Sequence, residues 1–384
     1  MHLRRLRLRQ FRAHEETESE LAPGVNLFVG LNGAGKTNLL EAVGYLCLGK
    51  SVLATPDAHV VQRGAPHVEV EGVFGSESRG DLTVRVVFVP GEGKRAFVSG
   101  APLDRLADLV GRVPFVFLSP ADHDLTAGGP SERRRFLDAT LSQAYPVYLD
   151  DLLKYRRALK QKNALLQQAR RGRPVPPGSV DAWDEELAVL GGRLVERRRQ
   201  FLDRFVGFLD EAYRLLDRPG GALQLEYAPS AQSEGGDEMD VLRGALGRSR
   251  RRSLQIGRTL VGPHLDEVEF AIDGFELRPY ASQGQHRTFA LAVRLAQALF
   301  LRDHRDETPI LLLDDVFGPL DPDRAGVVLE LLASRGLGQS LVTAARPEPF
   351  RGHVPFEADE HRLFHVERGE VSTPDPSRHS LATP

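Results

Sequence analysis

One cysteine, one tryptophan and two methionines are present among 384 residues. A single thiol, Cys47, excludes an internal disulfide framework and any zinc site built on a cysteine cluster. No stretch reaches the roughly 18 consecutive apolar residues that span a bilayer. The N-terminal Met1–Arg12 is basic, with no apolar segment behind it, and does not read as a signal peptide. The chain is therefore expected to be a soluble cytoplasmic protein with no membrane partner. A charge surplus is missing too: 50 basic residues stand against 53 acidic ones, a net −3. That balance excludes a simple polycationic nucleic-acid binder and leaves local patches open.

What is present is ordinary globular texture, 41% hydrophobic and 27% charged, in a length that accommodates two domains or one with a large insertion. Leu3–Arg9 alternates apolar and basic in places, as a half-exposed strand does. Val25–Val29 is a second strand that runs straight into Gly30. After Thr37 the apolar positions Leu39, Leu40, Val43, Leu46 and Leu48 recur near a helical period. Short β-rich runs between about Val68 and Leu103, split by Pro90-Gly91 and Ser99-Gly100, predict antiparallel strands. From Ser131 to Arg218 the pattern is helical, broken at Gly172–Gly178, and Pro229–Glu238 reads as a polar surface loop. Ile310–Leu313 and Gln339–Thr343 predict two further strands. The stretch from Gly369 is Ser, Thr, Pro and charge, the composition of a disordered tail. No repeat of 20–50 residues and no sustained heptad is present.

Gly30-Leu31-Asn32-Gly33-Ala34-Gly35-Lys36-Thr37 fits G-x-x-x-x-G-K-T between a predicted strand and a predicted helix, the context a phosphate-binding loop requires. Its glycines let backbone N–H groups close on phosphate, and the helix that follows favours negative charge. Lys36 can reach β- and γ-phosphates, and Thr37 can ligate Mg²⁺. Ile310–Leu313 is apolar throughout, as a central parallel strand is, and ends in Asp314 and Asp315. Asp314 suits the Mg²⁺ shell, and Asp315 suits polarisation of an attacking water. Ser282-Gln283-Gly284-Gln285 opens a helical segment, a second anion-binding arrangement of hydroxyl, bare backbone and helix dipole. Ser282 is equally an ordinary helix cap.

Lys154–Arg173 carries Lys154, Arg156, Arg157, Lys160, Lys162, Arg170, Arg171 and Arg173 without an acid. Arg133–Arg135 and Arg248–Arg252 add two clusters. Such patches supply sequence-independent, salt-sensitive affinity for duplex DNA, or are solvated helix faces. Arg133, Arg134, Lys154, Arg157, Lys160 and Arg250 are the DNA-binding candidates. With no aromatic ladder interleaved, stacking on single strands is not expected. Arg193–Arg199, interrupted by Glu196, reads as solvated. Cys47 and Trp183 read as packing. His264 reads as a turn residue or as one that approaches the active centre, and His14 as a candidate to stack on adenine.

Taken in order, phosphate loop, Ser-Gln-Gly-Gln and paired acids resemble the ABC-type ATPase head of the SMC and Rad50 class. Phe11-Arg12, Ser131–Asp138, Gly262-Pro263-His264-Leu265-Asp266 and Leu313–Phe317 leading to Leu320-Asp321 resemble the RecF family within it, over nearly the whole chain. The resemblance implies an α/β fold: an ABC-type head of mixed sheet, flanking helices and an antiparallel β subdomain. Residues 1–120 and 245–370 would form that head. A mainly α-helical insertion would occupy 121–244, and 371–384 a disordered tail. It implies ATP and Mg²⁺ as cofactors. Gly30, Asn32, Gly33, Gly35, Lys36, Thr37 and Asn38 would hold the nucleotide, with Thr37 and Asp314 on the metal and Lys36, Asp314 and Asp315 catalytic. Ser282, Gly284, Gln285 and Asp321 would close over a second copy's nucleotide in an ATP-dependent homodimer. Further implied are gapped or junction duplex DNA, the mediators RecR and RecO, and loading of recombinase on single strands. Two positions depart from the class. Thr343 stands where the switch histidine is usual. No glutamine occupies the Q-loop near Leu118–Asp122, leaving Asp122 or a water; both departures predict a slow ATPase.

Three other readings stay in view. A transporter head is disfavoured by the 246 positions separating Lys36 from Ser282. A Rad50-type arm is disfavoured because no heptad run or Cys-x-x-Cys hook is present. A clamp with purely structural nucleotide is disfavoured by the paired acids.

Overall fold

A computed structural model describes residues 1–53, 55–76, 80–216, 221–231, 236–305, 307–318, 322–334, 336–356 and 359–373. Leu320 and Asp321, and the tail from 374 onward, lie outside the described residues. The chain opens with β1 (His2–Phe11), β2 (His14–Glu20), β3 (Val25–Val29) and α1 (Lys36–Leu48). Then come β4 (Val68–Gly75), β5 (Leu82–Val89), β6 (Gly93–Val98), β7 (Ala101–Pro102) and β8 (Phe115–Leu118). The middle holds α2 (His123–Ala127), α3 (Pro130–Ala144), α4 (Pro146–Arg170), α5 (Ser179–Leu216), β9 (Leu223–Ala228) and α6 (Glu238–Ile256). It continues with β10 (Glu267–Ile272), β11 (Phe275–Glu276), α7 (Leu277–Tyr280) and α8 (Gln283–Arg305). The last stretch is β12 (Ile310–Asp314), α9 (Pro322–Ala333), β13 (Ser340–Ala344), β14 (Arg362–Glu367) and β15 (Glu370–Ser372).

Packing divides the chain into two units. One contains Met1–Asp122, a short stretch from Arg214, and everything described from Leu291 onward. Its antiparallel sheet runs β2-β1-β4-β5-β6-β7, and its second sheet runs β15-β14-β3-β13-β12-β8. In the second sheet β14, β3, β13, β12 and β8 are parallel neighbours. Leu3, Leu6, Leu8 and Phe11 of β1 are all buried. Strict alternation cannot place Leu3 and Leu6 on one face, and a register shift between Leu3 and Arg5 corrects the phase. Opposite β1, the acid-rich β2 places Glu18 across from Arg7 and Glu16 across from Arg9. Cross-strand charge pairing of this kind makes a strand of a segment with little intrinsic preference for one. α1 packs on strands of both sheets. It buries Leu39, Leu40, Ala42, Val43, Tyr45, Leu46 and Cys47, so it is a core helix apolar on nearly every side. Burial pushes the Cys47 thiol pKa up, consistent with packing.

The other unit contains His123–Tyr213 and Pro219–Ala290. Helices dominate it, with a small antiparallel sheet ordered β11-β10-β9. Phe136, Phe201 and Phe205 fill its core, where Phe201 and Phe205 approach with ring centroids 4.8 Å apart. Arg198 is buried beside them. It donates to the Tyr148 hydroxyl at 3.0 Å, to Asp138 at 2.9 Å and to the Pro263 carbonyl at 2.7 Å. The expected boundary at 244–245 falls inside α6, and the unit continues to Ala290 because β10 pairs with β9. Ser230, in the expected surface loop, is exposed, and its backbone N–H donates to the Asp266 carboxylate at 2.8 Å; residues 232–235 of that loop lie outside the described residues.

Candidate nucleotide site and basic surface

β3 is buried along its whole length and delivers Gly30 at the C-terminal edge of the parallel sheet, where such sheets place ligands. A side chain at Gly30 would put its Cβ 2.2 Å from the Val366 carbonyl oxygen. Gly33 and Gly35 take φ of 82° and 110°, values that favour glycine. α1 then starts with no side-chain cap and no acid in its first turn. Its leading N–H groups are therefore the unsatisfied donors from which anion sites are made. Lys36 folds across this loop, donating to the Gly30 carbonyl at 2.7 Å and the Leu31 carbonyl at 3.0 Å. Burial pulls the Lys36 pKa down, and the negative charges of Asp315 and Asp314 oppose that shift. Asn32 and Gly33 are exposed, and Asn38 lies in the first turn of the helix with its N–H on the Gly35 carbonyl at 3.0 Å.

Parallel pairing brings the acids to the same place. β12 pairs Asp314 with Thr343 of β13, and β13 in turn pairs Thr343 with Phe28 of β3. One Asp314 oxygen accepts the Thr37 hydroxyl at 2.8 Å and the Thr343 hydroxyl at 2.8 Å. Thr343 also accepts the Asp315 N–H at 3.0 Å. The fold thus brings Lys36, Thr37, Asp314 and Thr343 to one point. Thr37 and Asp314 are hard oxygen donors, the type Mg²⁺ takes alongside phosphate oxygens and water. The bare helix terminus, the lysine and these oxygens fit a nucleoside triphosphate with its metal. Asp315 is exposed and holds φ at 50°, strain that a non-glycine residue carries at functional sites. Asp122, at the Q-loop place, is committed elsewhere: it accepts from Arg294 at 2.5 Å and from the Ser119 N–H at 2.8 Å.

His14 corrects an expectation. It is fully buried, with Nδ1 2.6 Å from the Gly369 carbonyl and Nε2 3.1 Å from the Gly35 carbonyl, so its ring faces cannot stack on a base. It braces the phosphate loop instead. Gly369, which read as the start of a tail, turns the β14–β15 hairpin and donates to the Ala34 carbonyl at 2.9 Å. Only a glycine fits there, since a Cβ would meet the Ala13 carbonyl oxygen at 2.0 Å. Arg12 sits next to this brace and forms a two-pronged bond to buried Glu41, at 2.9 and 2.8 Å. Sequence reasoning finds neither Glu41 nor Gly369. An arginine before a phosphate loop, with an acid five residues beyond its lysine, is the only hint.

Ser282 and Gln285 cap α8 reciprocally: the Ser282 N–H donates to the Gln285 amide oxygen at 2.8 Å, and the Gln285 N–H to Ser282 Oγ at 3.2 Å. Gln285 thus has a local capping partner. Gly284 is exposed, and a Cβ there would meet only Ser282 Oγ at 3.9 Å, leaving its backbone open to approach. His264 belongs to the helical unit, where its Nδ1 lies 2.7 Å from the Tyr155 hydroxyl. Burial lowers its pKa to about 4, so the ring is neutral.

The basic candidates divide. Arg133 is buried, paired with Glu267 at 2.9 Å and bonded to the Gly128 carbonyl. Arg250 is held by Asp184 at 3.0 Å and by Asp181. Lys162 is buried against Asp184 at 2.5 Å. Arg133 and Arg250 of the DNA-binding candidates, and Lys162 of the α4 cationic run, thus have their charge matched within the unit. Arg134 donates to the Asp266 carbonyl at 2.6 Å and has no carboxylate partner among the described residues. Lys154, Arg157 and Lys160 stand exposed on α4, also without an ion pair among the described residues. Arg171, Arg173, Arg251, Arg252 and Arg258 continue the exposed charge.

With this geometry established, four likenesses bear on it. Residues 2–356 match the RecF/RecN/SMC N terminal domain family. The chain is 50% identical to the DNA replication and repair protein RecF of Salinibacter ruber, over 98% of this chain and 93% of that one. A solved structure described as the recombination mediator protein RecF-ATPrS in the RecFOR pathway superposes with a TM-score of 0.88 at 29% identity, covering 97% of this chain and 98% of that one. An Smc head bound to the C-winged helix domain of ScpA matches at TM-score 0.58 and 16% identity, over 98% and 99% of the two chains, a likeness of fold. Among the described residues no helix is long and apolar enough to cross a membrane.

Proposed function

Because this chain belongs to the RecF family of ABC-type ATPase heads, we propose that it is an ATP-driven DNA clamp of recombinational repair and replication-fork maintenance. The observation that carries this reading is the convergence of Lys36, Thr37, Asp314 and Thr343 on the uncapped start of α1. Lys36 and the first-turn N–H groups hold the β- and γ-phosphates, while Thr37 and Asp314 hold Mg²⁺. Mg²⁺ held by Thr37 and Asp314 would supply neutralisation of the charge that develops on the phosphates. Asp315 polarises the attacking water. Ser282 and Gly284 of a second copy reach the same γ-phosphate, and the family resemblance assigns Asp321, outside the described residues, to the same role, so a homodimer forms only with ATP. Hydrolysis is slow, because Asp122 is neutralised by Arg294 and Thr343 replaces an imidazole. The exposed cations of α4 meet duplex DNA at gaps or junctions. Cytoplasmic partners RecR and RecO, and delivery of recombinase to single strands, complete the proposal on family grounds.

Fluorescence anisotropy with duplex DNA tests it, using Asp315→Asn protein with ATP–Mg²⁺ and then ADP. Tight, salt-sensitive binding with ATP alone is expected. Equal binding in both nucleotides would remove ATP from the closing step.

A further inference from the structure

The Ser131–Asp138 and Gly262–Asp266 motifs, unused by the nucleotide site, surround one cavity in the helical unit. It measures about 250 Å³, and α3, α4, α5 and His264 wall it. Ser131, Arg134, Arg135 and Asp138 recur at i, i+3, i+4 and i+7, so they share one face of α3. This face is partly open to solvent, with Ser131 and Arg135 exposed, while Phe136, Leu137 and Leu141 form the buried face of α3. Besides Leu152, Leu194, Tyr155 and His264 the cavity is lined by four arginines, Arg134, Arg135, Arg156 and Arg198, whose nearby carboxylates are Asp138, Glu132 beside Arg135 and Asp266 at 3.8 Å from Arg198.

The Asp138 carboxylate is already engaged. Asp138 accepts from Tyr148 at 2.7 Å, Arg198 at 2.9 Å and Arg156 at 2.8 Å. Arg134 gives one bond among the described residues, to a carbonyl. Arg135 is 69% exposed and paired with Glu132, one turn back on its own helix. Ser131 lies in the first turn of α3, where the helix dipole favours an anion. Neutral His264, tied to Tyr155, closes the wall without adding charge.

We infer that this cavity is a phosphate seat, in which Arg134 and Arg135 grip one phosphate group with the Ser131 hydroxyl. Guanidinium and hydroxyl donors read phosphate oxygens, which carry no sequence information, so recognition is blind to sequence. DNA backbone is the source we assign, and that assignment alone rests on the proposed function. A planar guanidinium pair matches phosphate oxygens as an ammonium does not.

The test has two arms on the full chain. In a Lys36→Met background, which removes the phosphate loop as a competing seat, inorganic phosphate should raise Tm by about 2 °C over chloride of equal ionic strength. Ser131→Asp should erase that rise, since a carboxylate in the first turn suits the helix yet repels phosphate. Arg135→Gln, at an exposed position, should halve it. In the Asp315→Asn background with ATP, Ser131→Asp should weaken duplex binding about tenfold and reduce the salt slope by about one. No phosphate effect, or one that survives Ser131→Asp, overturns the seat. A lost phosphate effect with unchanged DNA affinity keeps the seat and overturns DNA as its source. No DNA binding by the parent, with the phosphate effect intact, overturns the DNA-clamp reading and keeps the seat.

Discussion

Two helices in this chain begin at glycine-containing anion motifs, and they begin differently. α1 starts uncapped: Gly35 offers no side chain, no acid stands in the first turn, and the first N–H groups await a partner. α8 starts self-satisfied, because Ser282 and Gln285 exchange bonds across its first turn. The bare terminus suits a ligand held permanently within one subunit, where charge and donors are needed at once. In the proposed dimer, the capped terminus is the one that stands in water until a second copy arrives, where an uncapped end would fray. What remains open at α8 is the exposed Gly284 backbone.

Substitutions at the two termini put that contrast at risk. The largest effect is expected at α1: Lys36→Met removes the loop's cation, and nucleotide affinity by calorimetry should fall at least about 100-fold. Retained affinity would mean that α1 is not the seat. At α8, Ser282→Arg should leave nucleotide affinity within about twofold while abolishing ATP-dependent dimers in analytical ultracentrifugation. A dimer that persists would break the distinction between a resident and a visiting ligand. The smallest effect belongs to the cap. Gln285→Ala should cost about 1 kcal/mol of stability in denaturant melts, with ATP affinity unchanged.

A similar contrast runs through the basic residues. Arg133 and Arg157 look alike in sequence, each inside a cationic run, yet Arg133 is buried on Glu267 whereas Arg157 is exposed. What separates them is whether a carboxylate from another segment arrives. Glu267 does so at Arg133, and Asp184 does so at both Lys162 and Arg250. Removing one partner of a buried pair costs about 3–5 kcal/mol. Cations such as Arg133 and Lys162 therefore hold the fold together, and those of the Arg157 kind remain available to phosphate.

Much of the nucleotide site is legible in the sequence because its parts are local. The phosphate loop is eight consecutive residues, and Ile310–Asp315 carries both its strand and its acids. The brace behind that loop is not legible, since His14 and Gly369 are 355 positions apart and their bond exists only once β14 and β15 have formed. β2 escapes for a related reason: His14–Glu20 is polar throughout, and the arginines of β1 make it a strand. Asp122, a candidate for the Q-loop place, meets Arg294 from 172 positions away.

Spacing and period over a few residues were enough to set the phosphate loop, the paired acids and the helical texture of the middle of the chain. Tertiary packing settled the rest: which arginines are paired, which histidine is buried and which carboxylates are engaged. Those outcomes depend on charges and carbonyls brought from distant segments, and a buried charge must find such a partner while an exposed one need not.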